Sequence, residues 1–527
     1  MKLKRYNMVL LIGVLSSLLL KGQNIQFNKY SNKIVEDLNI YLNGNVYQKD
    51  FLLFVNMIET THPAFSNTSP IDIDSLRKDG YTKMALCKSV ADFRFYLQSA
   101  LSHLKDGHST LLPDYKKSMI YPFAVFLDDD KKIYLRGISE GMEEYLGKEI
   151  SEVNGHTILK VVESFKTLIS GDNIFCFYKN VVNVLPVFSL WKNTSNCFAD
   201  SSLCFTFSDS TRMTLKPVHM NELNIIWKRP DSCRNSVRQD TKMPFIYKIY
   251  SDKSICYLQF NSCIDQKSLL QQYYHSRGIG WKDISDEVEK KILLYPRFDS
   301  FLENMFKEVE AGGIKTLVVD VRNNRGGNSM LCKQLLSWLK PIKEINKSKV
   351  QIRFSKLWEQ QYPLLSEKYK NILSNKGDDY ELGRLYDVSY LSLKKDSFPF
   401  QRNENIYTVN TDSDKVFNGN VIFIQNSNTY SSAGMLVTES IDNEIGLVVG
   451  GNSSYKPCSY GDLLAWELPN TKVKGYVSHK VFNRPNMDEC DESHIRPTVY
   501  IPNKWSDFLV GNDACWDWIV KMYSEGR

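Results

Sequence analysis

Thr316-Leu-Val-Val-Asp-Val-Arg-Asn-Asn-Arg-Gly-Gly327 reads as a buried strand that runs into a tight turn with paired glycines. Residues 316–321 are apolar except Asp320 near the end, the pattern of a strand covered on both faces. Gly326 and Gly327 then open a helix over 329–339. Paired glycines at a helix start let backbone amides point into open space, where the macrodipole favours negative charge. Such a turn can stabilise an oxyanion. It can equally cradle a phosphate or simply reverse the chain.

The same grammar recurs on either side. Downstream, 421–425 is a second buried strand, followed by Asn426-Ser-Asn-Thr-Tyr-Ser431-Ser432-Ala433-Gly434 and a helix from Ser432. A serine between a buried strand and a helix of small residues has the physical logic of a nucleophile elbow. An N-cap serine is the ordinary alternative. Further strands are expected at 447–449 and 463–468, with a hairpin arm at 475–482. Upstream, 255–260 is a strand, and Phe298, Phe301, Leu302, Met305, Phe306 and Val309 line a helix stopped by Gly312-Gly313. Alternating strands and helices define an α/β region over 245–510. The charged stretch 343–415 is too long for a loop and is expected to be a helical insertion. A C-terminal helix is expected over 511–527.

The N-terminal half differs. Phe51, Phe54, Val55 and Ile58 recur at helical spacing, and His62-Pro63 ends the pattern. Ser89-Val-Ala-Asp92 is a capping box for a second helix with Phe93, Leu97, Leu101 and Leu104 on one face. Residues 24–115 therefore read as a helical domain that delivers His108 at a helix C-terminus. Residues 116–240 are richer in short β runs, at 121–126, 132–135 and 203–207. Gly147-Lys-Glu-Ile-Ser-Glu-Val-Asn-Gly-His156 reads as a strand and an Asn-Gly turn leading to a helix over 157–168.

The chain has 527 residues, 43% of them hydrophobic, enough for several compact units. Its first segment stands apart. Lys2, Lys4 and Arg5 precede an apolar run over 8–20, which is too short to span a bilayer and fits a secretory signal over 1–23. The formal charge is +6, but that segment holds Lys2, Lys4, Arg5 and Lys21 and no acid, so the remainder is close to neutral. This gives no electrostatic case for nucleic acid. An exported protein, periplasmic or extracellular, with no stable membrane insertion after signal cleavage is expected. Eleven cysteines include no Cys-x-x-Cys pair, and the eight histidines show no ligand spacing, so no metal or other cofactor is implied. Cys197 and Cys204 are the closest pair and could bridge a hairpin.

Together the two glycine and serine junctions resemble one family. Residues 316–327 are similar to the Asp-Leu-Arg-x-Asn-x-Gly-Gly segment of the tail-specific (C-terminal-processing) and tricorn-core serine peptidases. Asn428-Thr-Tyr-Ser-Ser-Ala433 resembles their nucleophile segment and Leu447-Val-Val-Gly450 the strand after it. Leu101-Ser-His-Leu-Lys-Asp-Gly-His-Ser-Thr110 resembles a segment of the branch holding tricorn core and interphotoreceptor retinoid-binding protein. The resemblance implies a crotonase/ClpP-like layered α/β catalytic domain, an N-terminal helical domain and a β-rich middle domain similar in part to a PDZ module. It implies hydrolysis of a peptide or unfolded-protein substrate through Ser431, with Gly326 or Gly327 and the Ser432 amide holding the oxyanion.

The family offers two bases, and this chain has a candidate for each. His108 matches the histidine of the tricorn-like branch. Lys456, 25 residues after Ser431, matches the lysine of the tail-specific branch in spacing, without its flanking glycines. His108 is preferred because imidazole titrates near neutrality, whereas a lysine must first be driven to lose its proton. Glu492, with Asp491 beside it, resembles the acid that orients the base. Two other readings share the fold: an inactive peptide- or lipid-binding protein, and a crotonase-type thioester enzyme, which would not need the serine. Protein recovered from its native host is expected to begin near residue 23 or 24 by N-terminal sequencing; an intact 1–20 segment on membranes would contradict this.

Overall fold

The computed structural model describes residues 43–66, 71–113, 119–192, 201–231, 237–238, 242–277, 287–391 and 407–524. The expected signal segment and Cys197 lie outside these residues. Among the described residues, no helix is long and apolar enough to cross a membrane.

Six strands form the central sheet in chain order: Phe245–Tyr250, Ile255–Phe260, Thr316–Asp320, Asn420–Gln425, Leu447–Gly450 and Val499–Tyr500. The first joins antiparallel and every later join is parallel. Strand–helix–strand crossovers are right-handed, so a sheet that always steps the same way places its crossover helices on one face. Helices Phe298–Ala311, Ser329–Leu336 and Ser432–Asp442 share one core with Leu258, Leu317, Val319 and Phe423. Tyr257, Val318, Ile422 and Ile424 point to the other face, which helix Ala514–Tyr523 closes with Trp516 and Ile519. Both expected junctions leave neighbouring strand ends, because Asp320 pairs with Ile424 in register. The carboxyl ends of parallel strands are where α/β sheets bind ligands.

The N-terminal helices have no core of their own. Val46–Thr61 and Val90–Ser102 pack Phe51, Phe54, Phe93 and Leu97 against Leu464, Trp466 and Val477 of a long hairpin, Ser459–Glu467 with Lys474–Asn483. The rings of Phe54 and Trp466 meet edge to face at 5.5 Å. An amphipathic helix needs an apolar partner, and here the hairpin supplies it, so the unit expected over 24–115 is completed by residues near the other end of the chain. The 343–415 segment is not wholly helical. Besides helices it carries strands Lys349–Arg353 and Leu385–Asp387, which extend the hairpin sheet. The second N-terminal helix also stops early, at Ser102 with His103 as its C-cap. His108 therefore lies beyond the helix, where the macrodipole does not hold it.

Residues 119–231 build three small sheets around a separate core. Asn154 and Gly155 take positive φ of 52° and 77°, the turn that an Asn-Gly pair favours. Helix Ile174–Val184 links this layer to the central one: Phe177 and Val181 pack in the middle core, Cys176 in the α/β core. Cys458 and Cys490 form a disulfide, while Cys204, which could bridge Cys197, is a free thiol among the described residues.

Asp50 shows how tightly the two ends are joined. It is fully buried in helix Val46–Thr61 and accepts hydrogen bonds from the amides of Asn470 (3.2 Å) and Thr471 (2.6 Å) in the hairpin turn, and from both side chains. Asp50→Ala leaves those donors unpaired and is expected to lower unfolding stability by about 1–3 kcal/mol in a denaturant titration. An unchanged midpoint would show that the turn does not depend on the helix.

Candidate functional site

The first wall of the site is the turn after Asp320. Asn324 is fully buried; its Oδ1 accepts the Gly326 amide at 2.9 Å and its carbonyl accepts the Tyr430 amide at 3.1 Å. One residue thus ties the glycine turn to the serine turn, through its side chain and its backbone carbonyl. Gly326 has φ +97°, and a Cβ there would lie 2.6 Å from Ser431 Cβ. Gly327 has φ +136°, and a Cβ would lie 2.4 Å from the Cys263 carbonyl. Both positions need glycine for conformation and for space. Since Gly326 already donates to Asn324, the free amide of the pair is that of Gly327, which has no hydrogen-bond partner among the described residues.

The second wall is the turn after Gln425. The Thr429 hydroxyl donates to the Val321 carbonyl at 3.1 Å, and the Ser432 hydroxyl to the Gly327 carbonyl at 2.8 Å. Ser431 sits at φ 53°, ψ −129° and makes no capping bond to its helix. That conformation is rare and strained for a residue with a side chain, and strain of this kind collects at functional sites. The N-cap alternative therefore does not describe this serine. The Ser432 amide, first in the helix, has no partner among the described residues.

His108 reaches the site by pairing with the hairpin: Thr110 and Leu111 lie opposite Tyr476 and Gly475. Asp106 shapes the turn. Its Oδ2 accepts from His62 Nε2 (3.2 Å), the Ser109 amide (3.2 Å) and hydroxyl (2.6 Å), and the Ser478 hydroxyl (2.7 Å); its Oδ1 accepts the His108 amide at 2.9 Å. The Ala64 amide donates to His62 Nδ1, so His62 carries its proton on Nε2 and gives it to Asp106. His108 Nδ1 lies 3.0 Å from the Tyr430 hydroxyl, which in turn is 2.9 Å from Asp172 Oδ1; that oxygen also accepts the Gly107 amide at 2.7 Å.

Electrostatics separates the two acids. Burial opposes charge on Asp106, but hydrogen bonds and charge from His108 and His62 outweigh it and hold the carboxyl well below its usual range. Burial raises Asp172 to about 6 despite the nearby His108. Burial lowers His108, but the carboxylate of Asp106 close by, then the charge of Asp172, carry it above its ordinary value. Lys179 lies 4.6 Å above the Tyr430 ring, its own basicity lowered by burial.

Of the sequence candidates, Gly326, Gly327, Ser431 and Ser432 converge, and His108 is tied to Tyr430, the residue before Ser431. Glu492 pairs with Arg484 at 2.9 Å, and Arg484 also holds Asp442. Asp491 is exposed. Lys456 makes no hydrogen bond or ion pair among the described residues. Asp172, Tyr430, Asn324 and Asp106 carry much of the geometry and were not singled out by sequence reasoning. Asp106 and Tyr430 flank motif residues and could have been found there; nothing local marks Asp172. Ligand atoms of Asp106, His108 and Asp172 lie within 4.8 Å of one another, a spacing that could suit a cation. Asp106, however, already accepts five hydrogen bonds, more than the roughly four lone-pair positions of a carboxylate. The donor set is therefore poor for a metal.

Residues 291–500 match the family model of peptidase family S41. Curated protein sequences give no match. Among solved structures, mature CPAF is similar with a TM-score of 0.58 at 13% identity, covering 90% of this chain and 95% of that one. Mature CPAF complexed with lactacystin gives 0.59 at 13% identity, covering 91% and 97%. At this identity the likeness is one of fold.

Asp172 generates a stability prediction. Its folded-state value of about 6 lies above the ordinary 3.8, so the folded protein holds this proton more tightly than the unfolded chain. The linked stability is present at low pH and lost as pH rises toward and through 6. Asp172→Asn should therefore be more stable than wild type at pH 8, by about 1–3 kcal/mol, with the gap closing near pH 4. Paired thermal melts at the two pH values measure this; a variant less stable at pH 8 would contradict the burial argument.

Proposed function

We propose that this chain, whose residues 291–500 match the family model of peptidase family S41, is a serine peptidase that cleaves peptide bonds through an acyl-enzyme on Ser431, with His108 as general base. The observation that carries the reading is the pair of uncommitted amides, Gly327 and Ser432, beside a serine in strained backbone geometry. Donors already aimed at the place where negative charge develops need no reorganisation during the reaction.

In this mechanism Ser431 Oγ attacks the scissile carbonyl carbon and His108 Nε2 takes the hydroxyl proton. The carbonyl oxygen becomes an oxyanion between the Gly327 and Ser432 amides. Collapse expels the amine, protonated by His108, and leaves an ester on Ser431. Water, deprotonated by the same imidazole, then releases the acid product. His108 suits the task because an imidazole ordinarily titrates near neutrality, and Asp106 and Asp172 outweigh burial to raise its basicity. Peptide or unfolded-protein chains are the proposed substrates. Export is part of the proposal, supported by the N-terminal apolar run and by the Cys458–Cys490 disulfide, a bond that persists in oxidising compartments.

A fluorophosphonate is expected to label the protein at Ser431, and Ser431→Ala to abolish both labelling and peptide hydrolysis. His108→Ala should lower kcat/KM by about a thousandfold or more, and Lys456→Ala by far less. Labelling that survives in Ser431→Ala would remove the serine assignment. An inactive Lys456→Ala beside a near-normal His108→Ala would move the base to Lys456. An unlabelled, inactive wild type would favour the binding-protein reading.

A further inference from the structure

We propose that Tyr430 and Asp172 form the arm that orients His108, so that the positioning acid comes from the middle layer of the chain and not from the C-terminal loop of Glu492. The inference rests on the reading of Ser431 and His108 as nucleophile and base.

The proton count gives the direction of the arm. A phenol has one proton to donate, and a carboxylate can only accept. With Tyr430 Oη 2.9 Å from Asp172 Oδ1, the hydroxyl donates to Asp172, and its oxygen is left to accept from His108 Nδ1 at 3.0 Å. His108 then carries its proton on Nδ1 and presents Nε2 bare, the tautomer that can receive the Ser431 proton. Asp106 is the competing acceptor, but its Oδ1 is 3.5 Å from Nδ1, too long for a good hydrogen bond, and its oxygens already serve five other donors. Asp106 fixes the backbone of the turn; Tyr430 fixes the ring.

Asp172 is placed for more than structure. The residue is partly buried, and its Oδ2 is a buried oxygen with no hydrogen-bond partner among the described residues. An unpaired carboxylate oxygen in the interior is costly. That cost falls when a positive charge forms nearby, which happens when His108 takes the serine proton. Asp172 thus favours the imidazolium of the transition state more than the neutral ring of the resting state.

The other groups around this pair do not take over its role. Burial pushes the Cys176 thiol up to about 11 and raises Tyr430 and Tyr455, so all three stay neutral near pH 7. Asp106 stays charged, and His62 donates to it. Lys179, with Arg325 beside it, opposes the positive charge on His108 and so sharpens the need for Asp172.

The test uses the full mature protein. Nitrogen-15 NMR reports which ring nitrogen of His108 holds the proton and where the ring titrates; pH–rate profiles on a chromogenic peptide report kcat and KM. Wild type should carry Nδ1–H at pH 8. Asp172→Asn should lower kcat about 10- to 100-fold with KM within about twofold, and should move the His108 midpoint and the acid limb to lower pH, because a favouring charge has gone. A merely structural aspartate would not give a variant that is slower yet melts higher at pH 8. Tyr430→Phe, which keeps both charges, should show a similar fall in kcat and loss of the protected Nδ1–H signal. A folded Asp172→Asn with wild-type kcat and midpoint, or Nε2–H in the wild-type ring at pH 8, would overturn the proposal. So would a Glu492→Gln variant that moves the midpoint while Asp172→Asn does not. Wild type with the Nδ1–H arrangement but no fluorophosphonate labelling would defeat the peptidase reading and leave the arm standing.

Discussion

A single buried carboxylate, that of Asp106, holds the site's geometry together. It gathers His62 from the first helix end, Ser109 and the His108 amide from its own turn, and Ser478 from the hairpin. A charge so deeply buried is tolerated only when its hydrogen bonds are complete. Each of these groups must therefore be in place for the others to be in place. The turn carrying His108 has no helix or long strand to define it, and its shape is set by what Asp106 requires.

Around that anchor the protein accepts local costs. Ser431 adopts a backbone conformation that a side chain disfavours, and Asp172 keeps an oxygen without a partner among the described residues. Both costs sit within a framework that over-determines them: parallel strands buried on both faces below, and the interlocked hydroxyls of Thr429 and Ser432 above. Strain persists where its surroundings leave no cheaper arrangement.

What could be read from the sequence was local. The strands at 316–320 and 420–425 are legible because a strand covered on both faces leaves an unbroken apolar run, and Gly326-Gly327 and Ser431 announce themselves by turn chemistry. Long-range pairing leaves no such trace. Nothing near Thr110 indicates that it will lie opposite Tyr476, and nothing near Asp172 separates a buried carboxylate from a solvated one. Glu492 drew attention through resemblance, yet its position is decided by Arg484, a charge whose proximity the chain order does not reveal. The N-terminal helices were visible as helices; their partner, the far hairpin, was not.

The wide scatter of contributors along the chain sets an order in time. Synthesis presents His108 and Asp172 before Ser431, and Ser478 and the Gly475–Tyr476 edge follow later still. Until that edge exists, the His108 turn lacks its strand partner and Asp106 lacks one of its donors. The glycine and serine turns can thus be in place while the histidine turn is not. Completion of the site therefore waits on residues 475–478, after the nucleophile turn itself has emerged.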